Sequence, residues 1–89
     1  MRKLGLTVVM IVMASMAQAD WIKLDSASIA EALTDKRLRY DQAAQRFYAS
    51  GRTLYQSRED SWGSWDVRGD QYCSVWPPGN DWACYDVLR

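Results

Sequence analysis

The chain has 89 residues, with 11 basic and 11 acidic side chains, two cysteines and no histidine. This charge balance provides no basic field for nucleic acid or anionic lipid. The lack of histidine excludes Ser-His-Asp and Cys-His catalytic sites and removes the commonest metal ligand. The sequence also has no glycine-rich dinucleotide fingerprint and no phosphate-binding loop. We therefore assign no catalytic, metal or cofactor-binding residue.

The first nineteen residues have the pattern of a secretory signal peptide. Arg2 and Lys3 form a positive start, an apolar run extends over residues 4–17, and Ala17-Gln18-Ala19 predicts cleavage after Ala19. The apolar run is shorter than the ~20 residues of a membrane-spanning helix, and Asp20 stands where a lipoprotein has cysteine. We predict an exported, periplasmic or secreted domain over residues 20–89, with a net charge of −2 and no membrane span after cleavage.

One short helix is predicted over Leu24–Lys36. Asp25 is a suitable N-cap, although Ser28–Glu31 also fits a capping box, which would begin the helix a turn later. Ile29 and Leu33 lie four residues apart and form one apolar face. Because so short a helix is marginal alone in water, we expect it to pack on a sheet. Alternatively, the narrow apolar face of this amphipathic helix could bind a partner protein instead of the sheet.

Strands follow the helix. The alternation of apolar and polar residues predicts a strand over 37–40 and a hairpin formed by 45–49 and 52–57. Ser50-Gly51 would be its two-residue turn, which places Phe47 opposite Leu54.

The last third of the chain predicts three more strands, over 62–68, 70–76 and 81–88. Gly69 allows the first tight turn, and Pro77-Pro78-Gly79-Asn80 is a strong signal for the second. A four-residue loop there pairs Trp76 with Asp81.

The same register pairs Tyr72 with Tyr85, Ser74 with Ala83, and Cys73 with Cys84. Facing side chains of an antiparallel pair are close enough for a disulfide. In an exported domain of this size a bridge Cys73–Cys84 would contribute about 3 kcal/mol of stability. A redox or metal-binding pair is the alternative, but the spacing is not C-x-x-C.

Together these elements predict one α+β domain. A single short N-terminal helix packs on a curved antiparallel sheet, or partial barrel, of about six short strands.

Three patterns are candidates for function. Arg68-Gly69-Asp70 spells an adhesion tripeptide, but it lies where a hairpin must turn. Carboxylates such as Glu31 and Glu59 are expected on the solvated surface, although a pair of them is what a glycosidase uses. The third pattern is the number of aromatic residues. There are eleven of them, which is more than the thin core of so small a domain is expected to bury. The candidate binding surface consists of Trp62, Trp76, Trp82, Tyr72 and Tyr85.

The chain resembles a group of small uncharacterised bacterial exported proteins. The resemblance covers nearly all of residues 20–89 and is carried by the runs 51–55, 60–63 with Trp65, 69–74, 76–78 and 82–85. It implies a helix followed by a meandering sheet with a late cysteine pair, and it supplies no site residues. Some proteins of this appearance bear the label dihydrodipicolinate reductase. This sequence does not support that activity, because it has neither the nucleotide fingerprint nor the length for a Rossmann domain.

We therefore predict a non-catalytic binding or interaction protein that uses exposed aromatic side chains. Its partner would be an envelope protein or a glycan, and its oligomeric state stays open. The alternatives are a carboxylate-based hydrolase of cell-wall glycan and a purely structural envelope component.

Overall fold

The structure is a computed structural model that describes residues 10–12 and 20–89. The elements in chain order are β1 (Met10–Val12), α1 (Ser26–Leu33), β2 (Lys36–Arg39), β3 (Ala44–Phe47), β4 (Arg52–Gln56), β5 (Asp60–Arg68), β6 (Gln71–Val75) and β7 (Ala83–Leu88). The strands form one antiparallel sheet in the order β1-β7-β6-β5-β4-β3-β2. The prediction of one helix and a curled antiparallel sheet is confirmed at this level.

The helix begins at Ser26, directly after the predicted N-cap Asp25 and two residues later than the predicted span. Asp25 caps it, because its carboxylate accepts a hydrogen bond of 2.9 Å from the Ser28 amide. Ile29 and Leu33 are fully buried against the sheet, and burying two such side chains contributes about 1.5–3 kcal/mol each. This burial holds in place a helix of eight residues that would not persist alone.

The predicted end of the helix at Lys36 is wrong. The helix ends at Leu33, because Thr34 is extended and Asp35 adopts the left-handed conformation, with φ of 60°. Aspartate tolerates that conformation better than most residues do. Lys36 therefore begins β2 instead of closing the helix.

The predicted hairpin between β3 and β4 has the wrong register by one residue. Phe47 lies opposite Thr53, not Leu54. The loop has three residues instead of two, because Tyr48 pairs with Arg52 and Gly51 takes a φ of 94°. A left-handed glycine at the end of a three-residue loop is a common alternative to the two-residue turn.

The hairpin of β6 and β7 has the predicted register. Tyr72 pairs with Tyr85, Cys73 with Cys84 and Ser74 with Ala83, and a disulfide joins Cys73 to Cys84. The predicted pairing of Trp76 with Asp81 is not formed, because β6 ends at Val75 and the chain turns at once.

The core lies on the concave face of the curled sheet, under the helix. It contains Ile29, Leu33, Phe47, Trp65, Tyr72 and Val87. The rings of Phe47, Trp65 and Tyr72 contact one another with centroid distances of 5.5–6.5 Å. Trp65 is therefore a core residue, and its indole N–H donates to the Tyr48 carbonyl at 2.9 Å.

The Arg68-Gly69-Asp70 tripeptide lies in the tight turn between β5 and β6. Gly69 and Asp70 both have positive φ, as a two-residue hairpin turn of this type requires. The Asp70 carboxylate accepts hydrogen bonds from the Ser26 amide and hydroxyl at 2.7 and 2.8 Å. The aspartate thus ties the turn to the start of α1, which is a structural role.

The segment predicted as a signal peptide is described only at β1, which pairs with the outer edge of β7. The predicted cleavage site at Ala19 lies outside the described residues. No helix in the described part of the chain has both the length and the apolar character needed to cross a bilayer.

Candidate functional site

The concave face of the sheet continues past the core into an open cup. Gln45 lies two residues before the buried Phe47 on β3, and Ser74 lies two residues after Tyr72 on β6, so each shares the face of its core neighbour. Ile29 and Leu33 of the helix pack with Phe47 and Val87 in the core, and no residue of the helix lines the cup. The cup has a volume of about 830 Å³ and is lined by Tyr40, Gln45, Tyr55, Ser61, Trp62, Tyr72, Ser74, Trp76, Pro77 and Tyr85.

One wall of the cup is a row of aromatic rings. Tyr40 and Tyr55 have ring centroids 6.2 Å apart, and Tyr55 meets Trp76 edge to face at 6.4 Å. The three residues come from the end of β2, from β4 and from the loop after β6, so only the curled sheet brings them together.

Gly63 makes room for the indole of Trp76. A Cβ at Gly63 would lie 2.6 Å from the Trp76 ring and 2.7 Å from the Val75 carbonyl oxygen. Because β6 ends at Val75, the tryptophan is released from the ladder and its ring lies against this glycine. The indole N–H then donates to the Ser74 hydroxyl at 3.2 Å.

The floor of the cup is a buried polar network. The Gln45 amide donates to the Thr53 hydroxyl at 2.9 Å and to the Tyr72 hydroxyl at 3.1 Å. Its carbonyl oxygen accepts from the Tyr40 hydroxyl at 3.1 Å. Since Gln45 and Thr53 are both buried, these bonds satisfy groups that would otherwise destabilise the fold.

The phenol groups of Tyr40 and Tyr72, which both bond to Gln45, stay protonated well above neutral pH. Tyr40 of the wall remains 41% exposed, but the partial burial of its hydroxyl raises the pKa of Tyr40 to about 12, with smaller contributions from the neighbouring Tyr72 and Tyr55 hydroxyls. Burial also raises the pKa of Tyr72, while hydrogen bonds from Ser74 and Gln45 oppose the increase. Both groups are therefore neutral hydrogen-bonding hydroxyls under physiological conditions.

Four of the five predicted surface residues line the cup. Tyr72 lies in its floor, and Trp76 and Tyr85 lie in its walls. Trp62 belongs to the lining, but it is 46% exposed and its ring stacks on Tyr48 at 5.9 Å under the Arg52 guanidinium.

Trp82 lies elsewhere. Its ring is 37% exposed and carries the Arg68 guanidinium 4.0 Å above its centre. The five aromatic residues thus do not form one flat surface.

Tyr40, Gln45 and Tyr55 were missed as site residues. Gln45 shares the face of Phe47 because the two lie two residues apart on β3, and the pairing of Gln45 with Tyr55 places Tyr55 on that face as well. The predicted register pairs Tyr55 with Arg46, and a slip of one residue moves a side chain to the opposite face, so the wrong register concealed Tyr55.

The cup has no charged residue among its lining side chains. No cluster of three or more acidic, cysteine or histidine side chains suited to a metal ion occurs among the described residues. The site can therefore offer aromatic faces and neutral hydrogen-bonding groups.

Comparisons with family models, curated proteins and solved structures gave no match for this chain. The resemblance to small exported proteins stays a prediction.

Proposed function

We propose that this protein is a small exported binding protein without catalytic activity, and that the aromatic cup is its working surface. The observation that carries the proposal is an open cavity of about 830 Å³ in a domain of this size, lined by aromatic rings over a buried polar floor. Binding sites for small ligands are typically concave, about 300–1,000 Å³ in volume and mostly apolar, with a few fixed polar groups.

The disulfide supports export. Such bridges persist in oxidising compartments and are rare in the cytosol, and this one joins two neighbouring strands of the finished sheet. With the amino-terminal pattern of a signal peptide, it favours a periplasmic or secreted location.

A hydrolase is less well supported. Glycosidases place two carboxyl groups about 5–10 Å apart across the scissile bond, and the lining of the cup includes neither aspartate nor glutamate. A reductase has no support either, since the chain lacks a dinucleotide fingerprint.

The proposal is tested by tryptophan fluorescence of the purified protein during titration with solubilised peptidoglycan fragments and then with envelope extract, which also contains uncharged ligands. We expect a saturable shift, because Trp76 is half-buried in the cup wall and a ligand would desolvate its indole. Tyr85→Ala should weaken the response, whereas Trp82→Phe should leave it unchanged because Trp82 lies outside the cup. A response that is lost in the Trp82 variant and retained in the Tyr85 variant would place binding on the other surface and overturn the proposal.

A further inference from the structure

The chemistry of the lining narrows the class of ligand. Of the ten lining residues, four are tyrosines and two are serines, and the others are one glutamine, two tryptophans and one proline. Six side chains thus carry hydroxyl groups, which both donate and accept hydrogen bonds. A ligand that is itself rich in hydroxyl groups matches this lining, because its hydroxyl groups can either donate hydrogen bonds to these side chains or accept hydrogen bonds from them.

Part of this hydrogen-bonding capacity is left for a ligand. The Gln45 carbonyl oxygen accepts one bond, from Tyr40, so a second lone pair remains. The hydroxyl groups of Tyr55 and Tyr85 form no hydrogen bond within residues 20–89. Gln45, Tyr55 and Tyr85 line the same cup as the aromatic wall. Their free hydrogen-bonding groups can therefore bond to polar groups at the edge of a ligand ring that lies against the wall.

The lining also disfavours two other classes of ligand. A charged ligand would lose hydration without gaining an ion partner, because no lysine, arginine, aspartate or glutamate lines the cup. A wholly apolar ligand would cover the Tyr55 and Tyr85 hydroxyls without replacing their hydrogen bonds to water.

We propose that the ligand is an uncharged carbohydrate, with one sugar ring against the Trp76 indole and its hydroxyl groups bonded to Gln45, Tyr55 and Tyr85. A sugar ring has apolar C–H faces for the aromatic wall and hydroxyl groups at its edge for the polar groups. The volume of about 830 Å³ lies in the upper part of the small-molecule range, so the cup has room for an oligosaccharide segment. This inference rests on the proposed function, since it names the ligand of the same cup.

The experiment uses protein expressed from the full chain, including residues 1–19, and purified after any processing by the host. The protein is applied to an array of neutral chito-, cello-, malto- and manno-oligosaccharides, and the best ligand is measured by isothermal titration calorimetry. Muramyl dipeptide serves as the anionic probe, and 1-decanol, which is uncharged and almost wholly apolar, serves as the apolar probe. We expect binding to at least one neutral oligosaccharide and at least tenfold weaker binding to both other probes.

Three variants locate the binding. Tyr55→Phe removes one hydroxyl and keeps the ring, and it should weaken sugar binding about threefold to tenfold. Trp76→Phe should weaken it by about tenfold, and Trp82→Phe should have no effect. Thermal melting of each variant confirms that the domain is folded.

The outcomes separate the two proposals. If no sugar on the array binds but 1-decanol or muramyl dipeptide binds in a Trp76-dependent manner, the carbohydrate inference is wrong and the cup remains a binding site. If no probe binds at all, the carbohydrate inference is wrong, and the proposed function also falls when neither peptidoglycan fragments nor envelope extract give a fluorescence response. Sugar binding that is unaffected by the Tyr55 and Trp76 variants also overturns the inference.

Discussion

Replacing Gly63 by alanine is expected to disturb the cup and the stability of the domain together. The new methyl carbon would lie 2.6 and 2.9 Å from two atoms of the Trp76 ring and 2.7 Å from the Val75 carbonyl oxygen. The indole can move aside, but the carbonyl belongs to the paired strand β6 and moves only with the backbone. The methyl group therefore forces the ring out of the wall and separates β5 from β6 locally.

The magnitude follows from two opposing effects. Overpacking of a well-packed site costs about 1–3 kcal/mol, while exchange of glycine for alanine stabilises by roughly 0.4–1 kcal/mol through the unfolded state. We expect a net loss of about 1–2 kcal/mol in the free energy of unfolding, which lowers Tm by roughly 4–16 °C in a domain of this size.

Urea denaturation measures this loss, with far-UV circular dichroism for the fold and tryptophan fluorescence for the indoles. Gly69→Asn is the matched control, because a Cβ there meets nothing within 4 Å and asparagine tolerates its φ of 54°. The control should stay within about 0.5 kcal/mol of the parent.

A double-mutant cycle with Trp76→Ala tests the cause. Removal of the indole eliminates two of the three close contacts, so Gly63→Ala should cost less in that background than in the parent. An alanine variant as stable as the parent, or a cost unchanged by the loss of the indole, would refute the packing of Trp76 on Gly63.

Three further predictions concern the disulfide, the turn and the cup floor. Reduction of Cys73–Cys84, or its replacement by two serines, should lower the free energy of unfolding by about 3 kcal/mol, measured by urea denaturation with and without reductant; an unchanged midpoint would contradict a stabilising bridge. Hydrogen bonds from Ser26 lower the pKa of Asp70 below 3.8, so their stabilisation is present above that pH and is lost on acidification. Asp70→Asn, which tolerates the same backbone conformation, should therefore reduce the loss of stability between pH 4 and 2, and an identical acid profile would refute the contact. Tyr40 should ionise near pH 12 in a spectrophotometric titration, and its neutral form should stabilise the fold up to about pH 10 and progressively less above it. Tyr40→Phe removes that component, and a normal tyrosine titration in the parent would disprove the partial burial of the Tyr40 hydroxyl against Gln45.

The parts of the fold that follow from local sequence were predicted well. Asp25 caps the helix because its side chain reaches an amide three residues away, and the prolines and Gly79 after Trp76 turn the chain within a few residues. Such signals act within a single turn of chain, so they can be read without the rest of the molecule.

The predicted register of the β3–β4 hairpin was wrong because two loop types both fit the local sequence. Ser50-Gly51 fits a two-residue turn, but the same glycine at the end of a three-residue loop also satisfies the hairpin. Packing of Phe47 into the core selects between them, because only the observed register places it on the face of Trp65 and Tyr72. That choice depends on residues from other strands.

For the candidate site, too, some features follow from local sequence and others from tertiary packing. Composition showed that some aromatic side chains must lie outside the core, and turn chemistry with cysteine spacing determined that Tyr72 and Tyr85 face each other. The sequence by itself thus determined one hairpin, its disulfide and the start of the helix. Only the tertiary structure decided that Tyr40, Tyr55 and Trp76 form one wall while Trp82 lies under Arg68. The physical reason is that the wall joins residues from β2, β4 and the loop after β6, and the Trp76 indole fits only against Gly63 of β5, so these contacts depend on strands that are distant in the sequence. Caps and turns are set by neighbours along the chain.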